Sequence, residues 1–343
     1  LALDKFGAKY SLFAGTFILG LGALLFVLSN SIAGNTGRLL QGAGCAFAFP
    51  GCVYLASKGF SAKSLATAIG FTQCVGMLGG SAGQFVVGPW ISKGLDFKTF
   101  WLGSGLITIV VAFALLIVIP KGTDKVQGIK RPPAKGIFWP YKVVFSNPQS
   151  WLCGLISGLL FAPTTIFAMT WGVAFFQHDK AFSFYAATLA SAMIPMGWVF
   201  GCPLLGYITD KIGARKPVLI GGALVMILAI CQILFLPDLL SAYTTNFIFG
   251  LASGAAMIPY SVIKESNPDE VKGSATGAIN FITFGVTTLV NPVFAKFFGQ
   301  TLSLEIDKSA HFQATGYFWI SGIILAIILT LFLKETGQGK AKG

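Results

Sequence analysis

The 343-residue chain is short of charge. Asp, Glu, Lys and Arg make up only 10% of it, against about 25% in soluble globular domains. So little polar surface cannot keep 343 residues dissolved, and a mean hydropathy of +0.76 says the same. A soluble enzyme, a disordered chain and a nucleic-acid binder are poor readings of such a composition. There are two histidines, His178 and His311, and all twelve acidic residues fall between or at the ends of the apolar runs. The convergent nucleophiles, acids or metal ligands that a membrane-embedded enzyme needs are missing. No glycine-rich loop closed by lysine is present, which argues against ATP as the direct energy source. The six cysteines, Cys45, Cys52, Cys74, Cys153, Cys202 and Cys231, all lie inside apolar runs without metal-ligand spacing. They read as free thiols packed as small hydrophobes.

What the chain has is long apolar runs. Ten of them lie at about 11–29, 37–57, 65–91, 99–120, 150–176, 182–209, 217–237, 243–263, 273–298 and 314–334. Each has roughly the 20 residues that carry a helix across the hydrocarbon core. Lipid offers the backbone no hydrogen bonds, so each run is expected to be helical. Barrel strands would be half as long and would alternate polar with apolar. The turns between the runs divide the positive charge unevenly. Of the 24 Lys and Arg, 18 fall on the side that holds residues 1–10, 58–64, 121–149, 210–216, 264–272 and 335–343, with the span-end Lys334. That bias marks the cytoplasmic side and puts both termini there, in the inner membrane of the cell.

The chain also repeats itself. Asp4-Lys5-Phe6-Gly7-Ala8-Lys9 returns as Asp210-Lys211-Ile212-Gly213-Ala214-Arg215, an offset of 206. Ala66-Thr67 returns as Ala275-Thr276, Pro50 as Pro259, and Gly88-Pro89 as Asn291-Pro292. Four landmarks in one order indicate a duplication. The basic, proline-containing stretch 121–149 separates the copies. The second copy has two runs before its Asp-Lys-x-Gly turn and the first has none, so about 55–60 residues forming two helices are expected to precede residue 1. The expected divisions are 1–120, 121–149 as a cytoplasmic loop, 150–334, and a tail at 335–343.

On these residues the sequence resembles the major facilitator superfamily of secondary transporters. The loop pattern Gly-x-x-x-Asp-Arg/Lys-x-Gly-x-Arg/Lys-Arg/Lys is matched by Gly206, Asp210, Lys211, Gly213, Arg215 and Lys216. In the first copy it is matched by Asp4, Lys5, Gly7 and Lys9, with Tyr10 in the last position. A second signature, Arg-x-x-Gln-Gly-x-Gly, is matched by Arg38, Gln41, Gly42 and Gly44. The resemblance implies an all-α, polytopic membrane protein: ten visible helices of a 6+6 twelve-helix transporter with pseudo-twofold related halves. It implies a solute site near the midplane between the halves, and no cofactor. It also implies that Asp4, Lys5, Gly7, Gly206, Asp210, Lys211, Gly213 and Arg215 serve a gate, in which each Asp faces a helix N-terminus of the other half. A carboxylate there meets the positive end of the dipole, worth roughly 0.3–1 kcal/mol. The competing reading is a charged hairpin that only sets topology.

Polar faces supply the candidates for solute contact. The run 273–298 carries Thr276, Asn280, Thr283, Thr287 and Asn291 on one helical face. The run 65–91 shows Gln73, Gly76, Gly80 and Gln84, and the run 243–263 ends its own stripe at Tyr260. Such stripes in lipid either line water or join helices. Arg38, with Gln41 one turn on, suits an anionic solute or proton coupling; the alternatives are snorkelling and a structural ion pair. The expected substrate-binding set is Arg38, Gln41, Gln73, Gln84, Tyr260, Asn280 and Asn291. The expected partners are a small solute, a coupling proton and the lipid bilayer, with the protein a monomer. Drug efflux is the second reading. It is weakened because Gly88-Pro89 is followed by Trp90-Ile91-Ser92 and lacks the glycine of the drug-antiporter signature. A channel is a third.

Overall fold

The computed structural model describes residues 2–59, 72, 74–120, 136, 138–236, 239–268, 271–303 and 308–336. Among the described residues there is no strand. The helices are α1 (Ala2–Leu25), α2 (Ser31–Gly59), α3 (residues 74–92), α4 (Phe97–Val118), α5 (Trp139–Phe145) and α6, which starts as Pro148–Ala162. Then come α7 (Phe184–Ile212), α8 (Lys216–Phe235), α9 (Ala242–Ser253, continuing through Gly254–Met257 to Ile258–Glu265), α10 (Lys272–Ser303) and α11 (Lys308–Phe332). After Ala162, α6 widens into a π segment, Pro163–Trp171, and finishes as Gly172–Asp179. A second π segment, Gly83–Val87, lies inside α3. Eight of the ten runs coincide with helical segments long and apolar enough to cross a membrane among the described residues. The other two, 37–57 and 65–91, include residues or side chains outside the description.

The helices start where short polar side chains can occupy their first orphan N–H groups. Asn30 Oδ1 accepts from Ala33 N at 2.8 Å, and Asp96 Oδ2 from Lys98 N at 3.1 Å. Asn147 Oδ1 accepts from Gln149 N at 3.0 Å, with Pro148 behind it. Ser183 and Ser241 do the same for α7 and α9. α7 ends at Gly213, whose φ of 70° lets the chain turn while its N–H reaches Thr209 O. Gly7, its counterpart at the offset of 206, also has positive φ, at 76°.

The chain forms two compact units. The first holds residues 1–73 and 89–134, and the second holds 74–88 and 135–343. In the first, α1 packs on α2 and α4. The α1–α2 approach is made by glycines spaced seven apart. A Cβ at Gly22 would lie 2.7 Å from Gly37 O, and one at Gly44 would lie 2.5 Å from Gly15 O. Ala8, Leu12 and Ile119 are buried at one end.

In the second unit, α8 packs on α9 and α11, matching the contacts of α1 with α2 and α4. Here α7 and α9 meet through Gly197, Gly201, Gly250 and Gly254, each facing the other helix's backbone. α10 lays Ile282 and Val286 onto Gly154 and Gly158 of α6. Close backbone approach replaces the hydrophobic drive that lipid removes. Trp198, Phe161, Ile156 and Leu219 fill one core cluster; Phe176, Phe294, Phe298 and Trp319 fill another. Residues 74–88 run along α7 in this unit. Ser81 Oγ donates to Ala192 O at 3.4 Å, and Gly88 sits against Thr188.

Candidate functional site

The polar face of α10 meets two aromatic partners. Tyr260 Oη of α9 donates to Asn280 Oδ1 at 2.6 Å. One turn on, Thr283 is 2% exposed, and its Oγ1 has no hydrogen-bond partner among the described residues. Ser157 of α6 borders the same place and donates to Ala256 O at 2.8 Å. Two turns beyond Thr283, Trp171 Nε1 reaches Asn291 Oδ1 at 3.4 Å. Trp171 stands at the end of the π segment, where the extra residue per turn alters the side-chain register. Thr287, by contrast, is satisfied within its own helix by Phe284 O at 2.9 Å. From Ser274 to Ala295 α10 carries no charged residue, so this face offers hydroxyls, amides and aromatic edges only.

A second polar knot centres on Trp198. Trp198 Nε1 donates to Thr164 Oγ1 at 3.1 Å and also to Ser253 Oγ, tying α7 to α6 and α9. In the sequence Trp198 lies deep in an apolar run, where an indole either faces a cavity or packs. Only the fold shows that two hydroxyls from other helices are waiting for it.

The turn between α7 and α8 holds the charged site. Arg215 is 9% exposed. Its Nη1 bonds Asp210 Oδ1 at 2.7 Å and Thr209 Oγ1 at 2.9 Å; its Nη2 bonds Glu265 Oε1 at 2.9 Å. Burial works against the charge, but the hydrogen bonds and charges of Glu265 and Asp210 outweigh it, so its pKa is raised. Glu335 lies just past α11. It caps α8 from a distance, accepting from Arg215 N at 2.7 Å and Lys216 N at 3.0 Å. Thr336 Oγ1 donates to the second oxygen of Glu265. One guanidinium thus links the ends of α7 and α9, and the Glu335 cap brings in the end of α11. Lys211 is exposed, and a Cβ on Gly206 would touch nothing within 4 Å.

Arg38 and Gln41 come together in the first unit, with Arg38 Nη1 donating to Gln41 Oε1 at 3.2 Å. The exposed guanidinium sits 4.9 Å from the Phe26 ring centre and 5.7 Å from that of Trp101, and those rings stack at 4.5 Å. Among the described residues no ion pair includes Arg38. The Gln41 hydrogen bond and cation–π contact hold it, the latter worth about 0.5–1 kcal/mol at an exposed position. Gln73 and the side chains of Asp4, Lys5 and Gln84 lie outside the described residues.

Residues 1–292 match the family model described as Major Facilitator Superfamily. The chain belongs to the major facilitator superfamily. It is 28% identical over 162 residues to the multidrug resistance protein MdtL of Citrobacter koseri, covering 47% of this chain and 37% of that protein. Three solved structures share the fold. A bacterial homologue of the human lysosomal transporter Spinster, inward-facing and unoccupied, has a TM-score of 0.69 at 16% identity over 95% of this chain and 82% of its own. The D-xylose–proton symporter has 0.70 at 16%, over 97% and 81%. The E. coli fucose:proton symporter has 0.63 at 12%, over 97% and 85%. A major facilitator chain is an integral membrane transporter and not an enzyme.

Proposed function

We propose that this major facilitator protein is a secondary active transporter that moves a small polar solute by alternating access, as a proton symporter. The observation that carries the reading is the Tyr260–Asn280 pair beside the buried hydroxyl of Thr283, on a helix face without charge. Neutral hydroxyls and an amide gathered on one buried face suit hydrogen bonding to a polar solute. Asn291 with Trp171 extends the same face. Two of the structurally similar proteins are proton symporters, which supports the coupling. In this reading Asp210, Arg215 and Glu265 form a gate at the cytoplasmic ends of α7 and α9, and Arg38 with Gln41 serves an anionic solute. Both termini are cytoplasmic, the membrane is the inner one, and the protein is a monomer.

Efflux of drugs or metabolites by proton antiport is the second reading, favoured by the likeness to MdtL. Uptake into proteoliposomes under pH gradients of either sign separates the two. The probes are radiolabelled D-xylose, L-lactate and ethidium. Accumulation of xylose or lactate when protons flow inward is the symport result. Accumulation of any probe only when protons flow outward replaces symport with antiport.

A further inference from the structure

Cys74 reaches across the seam between residues 74–88 and α7 to the turn that carries Cys202. Pro203 has no N–H, so the carbonyl of Val199, four residues before it in α7, loses its helical donor. Cys74 takes the vacancy: its Sγ donates to Val199 O at 3.3 Å. Cys202 lies three residues after Val199, on the same side of α7. Met77, one turn on from Cys74, packs with Cys202 against the same core cluster. All six cysteines are free, and no group of three or more His, Cys, Asp or Glu gathers among the described residues. Zinc or a harder cation finds no four-ligand shell here. Two thiols beside a thioether suit a soft cation that accepts two ligands.

We propose that Cys74 and Cys202 form a two-thiol site for a soft monovalent d10 cation, copper(I) or silver(I), that bridges α3 to α7. Binding forms two metal–sulfur bonds and breaks one S–H bond. One sulfur becomes a thiolate, the other stays a thiol, and one proton leaves for water. The resulting complex is neutral, which suits the low-dielectric interior better than a dithiolate anion. The bridge pins the seam, so a loaded chain is held in one arrangement of these helices.

The test uses the purified full chain with Cys45→Ala, Cys52→Ala, Cys153→Ala and Cys231→Ala, titrated calorimetrically with silver nitrate beside a pH-indicating dye. The expected result is one silver ion bound and one proton released per chain, with a raised unfolding temperature. Adding Cys74→Ala or Cys202→Ala is expected to weaken binding about 100-fold, because the second sulfur acts as a tethered ligand. Cys74→Ser and Cys202→Ser give the same readout should the alanine variants fail to fold. Equal affinity in the single-thiol chains, two ions per chain, or no binding overturns the proposal.

Discussion

Arg215 is the side chain on which most of the second unit's charge converges. Truncating it leaves Glu265 and Asp210 facing each other without a cation, and Asp210 is largely solvated. The pairing is therefore worth less than a fully buried one. Arg215→Ala is expected to lower stability by about 2 kcal/mol, read as a drop in unfolding temperature in detergent. Lysine should recover only part, since it cannot span two acceptors as a planar fork does. The sign of the pH effect follows from the raised Arg215 pKa. Its contribution is complete below the ordinary arginine value and disappears only above it. Loss of stability between pH 5 and 9 that vanished in Arg215→Ala would contradict this. Tyr260→Phe removes the hydroxyl that donates to Asn280 Oδ1. A stability loss of about 1 kcal/mol is expected, together with a several-fold rise in the KM for solute at nearly constant kcat.

Among the elements, the glycine seams make the sharpest contrast. A Cβ at Gly44 would press on Gly15 O, while one at Gly42 would meet nothing within 4 Å. Gly44→Ala is expected to cost about 1–3 kcal/mol through overpacking. Gly42→Ala should stabilise by about 0.5–1 kcal/mol through backbone entropy. Thermal unfolding of the two variants checks both signs at once. Helix positions were legible in the sequence because lipid imposes one rule on every span: 20 apolar residues and internal hydrogen bonds. The repeated Asp-Lys-x-Gly turn was legible because a chain reversal at that point needs positive φ, which Gly7 and Gly213 both adopt. The glycines Gly197/Gly201 and Gly250/Gly254 recur four residues apart within one helix each. The seven-residue spacing of Gly15/Gly22 against Gly37/Gly44 was not legible, because it becomes a pattern only when two helices are set side by side. Glu335 capping α8 and Trp198 bonding Thr164 and Ser253 were hidden for the same reason: their partners lie 34 to 120 residues away in sequence. The face of α10 was readable as polar, yet only the fold shows that Thr287 is satisfied locally while Thr283 is not.

At the scale of the whole molecule, the +12 net charge is expected to act through topology, since 18 of 24 basic residues lie on one side of the spans. Reporter fusions at residue 343 and within 121–149 should both report the cytoplasm; an external signal at either site would overturn the orientation. The same duplicated plan, with a first helix packed on its second and fourth, recurs inside each unit. It fits the carrier proposed above, and a carrier exchanges solute where a channel only leaks it. The most direct test is counterflow in proteoliposomes preloaded with unlabelled D-xylose or L-lactate, with the labelled form outside, in the natural chain and in Asn280→Ala. The account predicts a transient overshoot of label in the natural chain and at least a tenfold loss in the variant. Passive equilibration without overshoot for a solute that does cross, or an undiminished overshoot in Asn280→Ala, would contradict it.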